Sequence, residues 1–169
     1  MQQQGTNIAW AANSTTGYST NITTLVATKV SGSNATDAVF SGDGATDGSE
    51  SLTKLKGAVS DYSETNYPAW YFVENYAANE GLTGEYASGW YMPSVQELCT
   101  LYQNKGIVNI ALEKITGAAQ ISTANAYWSS SQDGSNASYA WYVGSGAADG
   151  LFNNNKYYLL SVCVIRKFN

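Results

Sequence analysis

The residues best able to do chemistry in this chain are few. Cys99 and Cys163 are its only cysteines, and it has no histidine. That removes the usual general base and the commonest metal ligand. The two cysteines lie far apart and in no zinc-binding spacing. Cys99 falls in a helical pattern and Cys163 in a strand pattern, so they either pair or stay as buried thiols. Asp43, Asp47 and Glu50 gather oxygen ligands in the Gly/Asp-rich stretch 41–50. Their spacing is not that of an EF-hand loop, and the stretch reads as a plain surface loop. No carboxylate pair stands beside a motif. The expectation is a chain that is not an enzyme, with no cofactor, no metal and no catalytic residue.

What the chain has in abundance points elsewhere. It carries 13 Tyr and 5 Trp, while charged residues make up only 12%, about half the usual share. Tyr, Ser, Gly and Asn together are the palette of antibody-type binding loops, where rigid aromatic area is combined with adaptable hydrogen bonding. The same composition suits an all-β surface rich in Tyr and Thr. The net charge is -5 with no basic run, which argues against nucleic-acid binding. No apolar stretch reaches the length of a membrane span, and the start shows no signal-peptide pattern.

The elements that must position these residues can be traced along the chain. The runs from Ile8 to Ala12 and from Leu25 to Val30 read as short strands. From Pro68 the period becomes helical. Trp70, Val73 and Ala77, with Phe72 and Tyr76, make one apolar face, and Gly81 and Gly84 close it. A second helix starts after Pro93, with Ser94 and Glu97 as an approximate capping box. Its buried side is Val95, Leu98, Cys99, Leu101 and Tyr102. A further helical turn or two runs from Val108 to Ile115. The chain then returns to β structure, with a short strand or strand-like turn at Tyr127–Ser131 and a strand at Ala140–Val143. A loop holds Asn153, Asn154 and Asn155, and a last strand runs from Tyr158 to Phe168. This order predicts one α+β domain over residues 1–169, with two helices flanking antiparallel sheets.

Three segments carry a resemblance. They are Gly89-Trp90-Tyr91-Met92-Pro93-Ser94 leading into Glu97-Leu98, then Tyr127-Trp128-Ser129-Ser130-Ser131, then Ala140-Trp141-Tyr142-Val143 with Val162 to Phe168. In that order the chain resembles the C-type-lectin-like domain at the end of bacterial collagen-like adhesins. It is still more similar to the variable proteins of diversity-generating retroelements. The match covers residues 68–168. It implies a C-type-lectin-like fold with the termini close together and the last strand paired to an early one. It also implies ligand binding on the less regular face between Trp128 and the last strand, and mutation of adenine-rich codons, chiefly those of Asn. Such mutation cannot yield Lys, Glu, Gln, Met or Trp. Within the candidate variable segment 133–163 only Trp141 and Lys156 belong to that excluded set. The calcium-binding motifs of lectins with this fold are absent, so any binding should be calcium-independent. The cysteine arrangement of the fold's catalytic branch, the formylglycine-generating enzymes, is absent too.

The residues themselves suggest that Trp90, Trp128 and Trp141 are core rings. Gly89 should allow a positive φ or close approach, Ser129 to Ser131 should satisfy backbone groups in a tight turn, and Arg166 should bind carbonyls or an ion-pair partner. Alternation then places Trp141 and Val143 inward. The expected ligand face is Tyr139, Tyr142, Gly144, Asp149, Phe152, Asn153, Asn155, Tyr157 and Tyr158, clustered and exposed. The expected partner is a protein or surface receptor, with a glycan as the alternative. No nucleic acid and no direct membrane insertion are expected. The expected location is the cell surface, a secreted form or a virion.

Overall fold

The computed structural model describes residues 5–122, 124–144 and 150–167. In chain order the elements are β1 (Gly5–Ala9), α1 (Thr16–Ser19), β2 (Val26–Ser31), β3 (Val39–Ser41), α2 (Ser51–Ala58), α3 (Pro68–Glu74), α4 (Tyr76–Asn79), β4 (Trp90–Tyr91), α5 (Val95–Gln103), α6 (Lys105–Leu112), β5 (Ala126–Asp133), β6 (Tyr139–Gly144), β7 (Leu151–Asn155), β8 (Leu159–Val162) and β9 (Ile165–Arg166).

The sheet is organised around β5. One edge of β5 pairs antiparallel with β6, which in turn pairs with β7. The other edge is shared by two parallel partners, β8 beside Tyr127 and Trp128 and β2 beside Gln132 and Asp133. β1 closes the fold by pairing antiparallel with β8, Ile8 opposite Leu160. The expected pairing of a late strand with an early one is therefore present. The expected purely antiparallel arrangement is not, because β5 receives β2 and β8 in parallel. The last strand is also not continuous. It breaks at Cys163 and Val164, and β9 leaves the main sheet to pair with β4. Phe168 lies outside the described residues.

Alternation along the strands separates two cores. Trp128, Ala140, Val162 and Val164 pack with Trp10, Leu55, Tyr67 and Trp70 on one side. Tyr127, Trp141, Val143 and Cys163 pack with Phe40, Leu98, Cys99 and Tyr102 on the other. Trp128 and Trp141 are core rings as expected, whereas Trp90 is only half-buried. Neither cysteine is in a disulfide, and both thiols are buried, which pushes each up to about 12.

Six α-helices stand among the described residues, against the expected two helices and a further turn or two at Val108 to Ile115, where α6 begins earlier, at Lys105. The helical pattern from Pro68 is split at Asn75, whose Nδ2 donates back to the Tyr71 carbonyl at 2.9 Å, an interior bond that competes with the helix. Gly81 then ends α4 at φ +63. The amides of Leu82 and Gly81 return to the carbonyls of Ala77 and Ala78, the paired bonds of a Schellman stop. α2 has no apolar stripe to announce it, for only Ser51 and Leu55 of its eight residues are buried. α5 has the capping box its sequence predicts, Ser94 and Glu97 exchanging side-chain and backbone bonds. Glu97 does more, since its carboxylate also accepts from Tyr91 Oη at 2.9 Å and from the Gly48 amide at 2.9 Å. The acidic loop 41–50 is thereby fastened to α5. Within it Asp47 accepts the Ser49 amide, and its carboxyl is held below its usual value mainly by the hydrogen bonds from Ser49.

Trp141 joins these layers: its Nε1 donates to the Ala27 carbonyl at 2.8 Å, and its ring meets the edge of Phe40. Replacing Trp141 by Ala should cost about 3–5 kcal/mol of stability through the cavity it leaves, measured by denaturant unfolding. Both cysteines should resist thiol reagents at neutral pH until the protein unfolds.

Candidate functional site

The β6–β7 hairpin carries most of the expected ligand residues, and its register sorts them. Directly opposed residues share a face. Tyr139 lies opposite Asn155, Trp141 opposite Asn153 and Val143 opposite Leu151. On the other face Ala140 lies opposite Asn154 and Tyr142 opposite Phe152. The stretch expected to be a loop around Asn153 is thus a paired strand, and pairing imposes alternation on it. The nine expected residues do not form one face. Tyr142 is half-buried, its ring 5.8 Å from Trp128 and 5.6 Å from the exposed Phe152. Gly144 is buried. Its φ is +114, and a Cβ there would lie 2.1 Å from the Asn125 carbonyl oxygen, so it is a packing glycine and not a surface position. Asp149 lies outside the described residues.

At the Tyr139–Asn155 end the hairpin opens onto an aromatic patch. Tyr157 and Tyr158 are stacked at 5.1 Å, and each is a little under half exposed. Tyr18 of α1, which sequence reasoning did not single out, leans over Tyr157 at 6.0 Å and donates through its hydroxyl to Asn155 Oδ1 at 2.9 Å. The Tyr157 phenol is held above its ordinary value chiefly by Tyr158, with burial, Tyr18 and Tyr139 contributing in turn. Five side chains from three separate segments therefore converge: Tyr18, Tyr139, Asn155, Tyr157 and Tyr158. None carries a charge at neutral pH, and all can donate or accept hydrogen bonds. Asn153 takes no part in this patch, because its Nδ2 donates to the Asp133 carboxylate.

A solved fimbrial protein has a similar fold. It comes from Bacteroides ovatus, and the likeness has a TM-score of 0.56 over 95% of this chain at 14% identity. This chain spans 33% of that protein's length. At such identity the likeness concerns the fold alone. No family model and no curated protein matches the chain.

Beneath the patch lies Lys156, fully buried between Asn155 and Tyr157. Its Nζ donates to the Gly17 carbonyl at 2.6 Å and sits 4.5 Å from the Trp10 ring. The sequence signals were a lysine standing alone in a Tyr- and Asn-rich segment and, with Trp141, its place in the set that Asn-codon mutation cannot yield. Arg166 behaves as expected, donating to the carbonyls of Ser88 and Glu85 and lying over Tyr86. Gly89, at φ +83, packs against the Arg166 side chain. Among the described residues no group of three or more His, Cys, Asp or Glu converges as a metal site, and no helix is long and apolar enough to cross a membrane. An apolar groove of about 390 Å³ lies along α5 and α6, beside Leu101, Val108 and Ile165. It contains none of the expected ligand residues.

Burial lowers the Lys156 ammonium from 10.5 to about 7. Between those values the unfolded chain binds more protons at this site than the folded one, so stability should rise with pH across that window and be lowest below it. Tyr67, Cys99 and Cys163 are all raised to about 12, and they act in the opposite sense only above their ordinary values of 9.0 and 10.0. From pH 7 to roughly pH 8.5 the Lys156 contribution should raise unfolding free energy by up to about 1.4 kcal/mol per pH unit. Urea titrations should show that slope in the parent protein and lose it in Lys156→Met.

Proposed function

We propose that this chain is a non-enzymatic ligand-binding domain of the C-type-lectin-like class, with a surface diversified by a retroelement. The observation that carries the reading is the convergence of Tyr18, Tyr139, Asn155, Tyr157 and Tyr158 into one uncharged surface patch, in which Tyr157 and Tyr158 are exposed and the other three half-buried. Rigid phenol rings give contact area at low entropic cost, and neighbouring amides supply adaptable hydrogen bonds. The scaffold agrees with such a role. Trp141 and Lys156, the two residues of segment 133–163 that Asn-codon mutation cannot produce, are both buried. Residues open to change would stand outward while their fixed neighbours hold the fold. The early and late strands β1 and β8 pair, which suits the C-type-lectin-like class.

The partner in this reading is a protein or surface receptor, and binding is calcium-independent. The fimbrial protein of similar fold favours a place at a cell surface. A second reading, a glycan-binding adhesin domain with no sequence diversification, draws on the same aromatic and amide groups. Sequencing the 3' end of the gene from many isolates separates the two. Diversification predicts changes concentrated at the codons for Tyr139, Asn155, Tyr157 and Tyr158, with Trp141 and Lys156 constant, and a nearby reverse transcriptase gene. Uniform constancy at all six would leave the glycan reading. In either case Tyr157→Ala should leave the melting temperature nearly unchanged. It should weaken binding of the ligand by about 1–3 kcal/mol if the ring is an anchor, read by calorimetric titration.

A further inference from the structure

We infer that Tyr18 completes the ligand site from outside the candidate variable segment, and that Lys156 and Tyr67, which clamp the Gly17 peptide from two sides, position it. The inference rests on the ligand-face reading above and adds to it a fixed contact and the means of holding that contact in place.

α1 has four residues, too few to hold itself as an isolated helix. Its placement must come from tertiary bonds, and these converge on Gly17. The Gly17 carbonyl accepts from Lys156 Nζ at 2.6 Å, while its amide donates to Tyr67 Oη at 2.8 Å. Tyr67 in turn donates to Asp61 Oδ1 at 2.8 Å, and Asp61 Oδ2 accepts the Thr16 amide at 2.9 Å. One peptide segment is thus clamped between the buried amino group of Lys156 and a phenol–carboxylate pair. A Cβ on residue 17 would lie 2.8 Å from the Tyr67 ring, so glycine is what allows this approach. Trp10 closes the other side of the lysine, and the Ala11 amide donates to the Lys156 carbonyl at 3.1 Å.

Tyr18 follows Gly17 directly, so the clamp fixes the backbone from which its ring projects. Lys156 meanwhile lies between Asn155 and Tyr157, the two residues that touch Tyr18. The inward-turned lysine therefore ties its outward neighbours to α1. Tyr18 lies outside residues 133–163. A surface that changes within that segment would keep this phenol as a constant ring, carried on a clamped backbone, beside the changing ones. Exposed phenols and amides of this kind suit the surface of a folded protein partner.

Two experiments test this. The first needs no ligand. With 3-fluorotyrosine at position 18, the fluorine resonance of the folded protein should differ from that of free fluorotyrosine. It should move toward the free value in Lys156→Met, while near-ultraviolet circular dichroism still reports a packed core. A resonance that does not move overturns the positioning role. If Lys156→Met fails to fold, Tyr67→Phe removes only the hydroxyl from the clamp and gives the same readout.

The second uses a library of the full chain randomised at Tyr139, Asn155, Tyr157 and Tyr158, selected against hen lysozyme as a model protein. Introducing Tyr18→Ala into the selected binders should weaken Kd about ten-fold or more at unchanged melting temperature. Binders indifferent to Tyr18→Ala overturn the α1 contribution alone. A library that yields no binder overturns the ligand-face reading and this inference with it.

Discussion

The structure depends on burying a polar strand. In β5 every residue from Tyr127 to Asp133 is buried, and the last five are Ser129, Ser130, Ser131, Gln132 and Asp133. Polar groups withdrawn from water cost free energy unless they find partners, so the surrounding chain must supply them. Trp10 Nε1 donates to the Ser129 carbonyl, and Ser129 Oγ donates to that of Trp141. The Ser130 amide reaches Pro93, and Ser131 Oγ bridges the Gly44 carbonyl and the Val95 amide. Gln132 binds the Ile22 amide and the Thr20 carbonyl. These contacts draw the first strand region, the loop 41–50, the start of α5 and the hairpin onto one line. The serines serve a buried strand and not the tight turn their composition suggests: other segments answer the hydroxyls of Ser129 and Ser131, while that of Ser130 is buried without a hydrogen-bond partner.

That dependence explains which parts of the fold were legible. Local signals were readable where one residue pair carries the geometry. The Ser94–Glu97 box, Pro68 opening α3 and Gly81 closing α4 all follow from short-range chemistry. The inward direction of Trp141 and Val143 was readable from alternation. The parallel pairings of β2 and β8 with β5 were not, because nothing local distinguishes a parallel neighbour from an antiparallel one. The break at Cys163 and Val164 was hidden by an unbroken apolar run. Both residues are buried, but in different cores, so the alternation continues while the strand changes sheets. α2 was hidden for the opposite reason, since a helix that buries only Ser51 and Leu55 leaves no stripe to detect.

The candidate site was half legible. Composition pointed to a tyrosine- and asparagine-rich surface, the resemblance placed it near the chain's end, and four of the five patch residues lie there. Its membership was readable only in part, because Asn153 to Asn155 look like loop residues. Pairing as β7 sends Phe152 and Asn153 to opposite faces. Gly144 was mistaken for a surface position because a glycine shows no side chain to place, and only the approach of the Asn125 carbonyl reveals its constraint. Tyr18 was out of reach of any local pattern. It meets Asn155 through a bond spanning 137 positions of sequence, and its helix has no stability of its own.

Lys156 connects the scaffold to the patch. A buried ammonium with no carboxylate partner among the described residues is among the costlier things a small domain can hold. A carbonyl bond and the face of Trp10 offset part of that cost, since both favour the charged form. A methionine of similar length would pack with less penalty, yet it could not hold the Gly17 carbonyl. The lysine thus gives up stability for position. Its neighbours Asn155 and Tyr157 reach outward from a backbone fixed on three sides, by the Ser138 carbonyl, the Ala11 amide and the ammonium itself. With the backbone so held, the outward side chains are not required to hold the fold. This is the condition under which a surface can exchange its side chains and keep its shape.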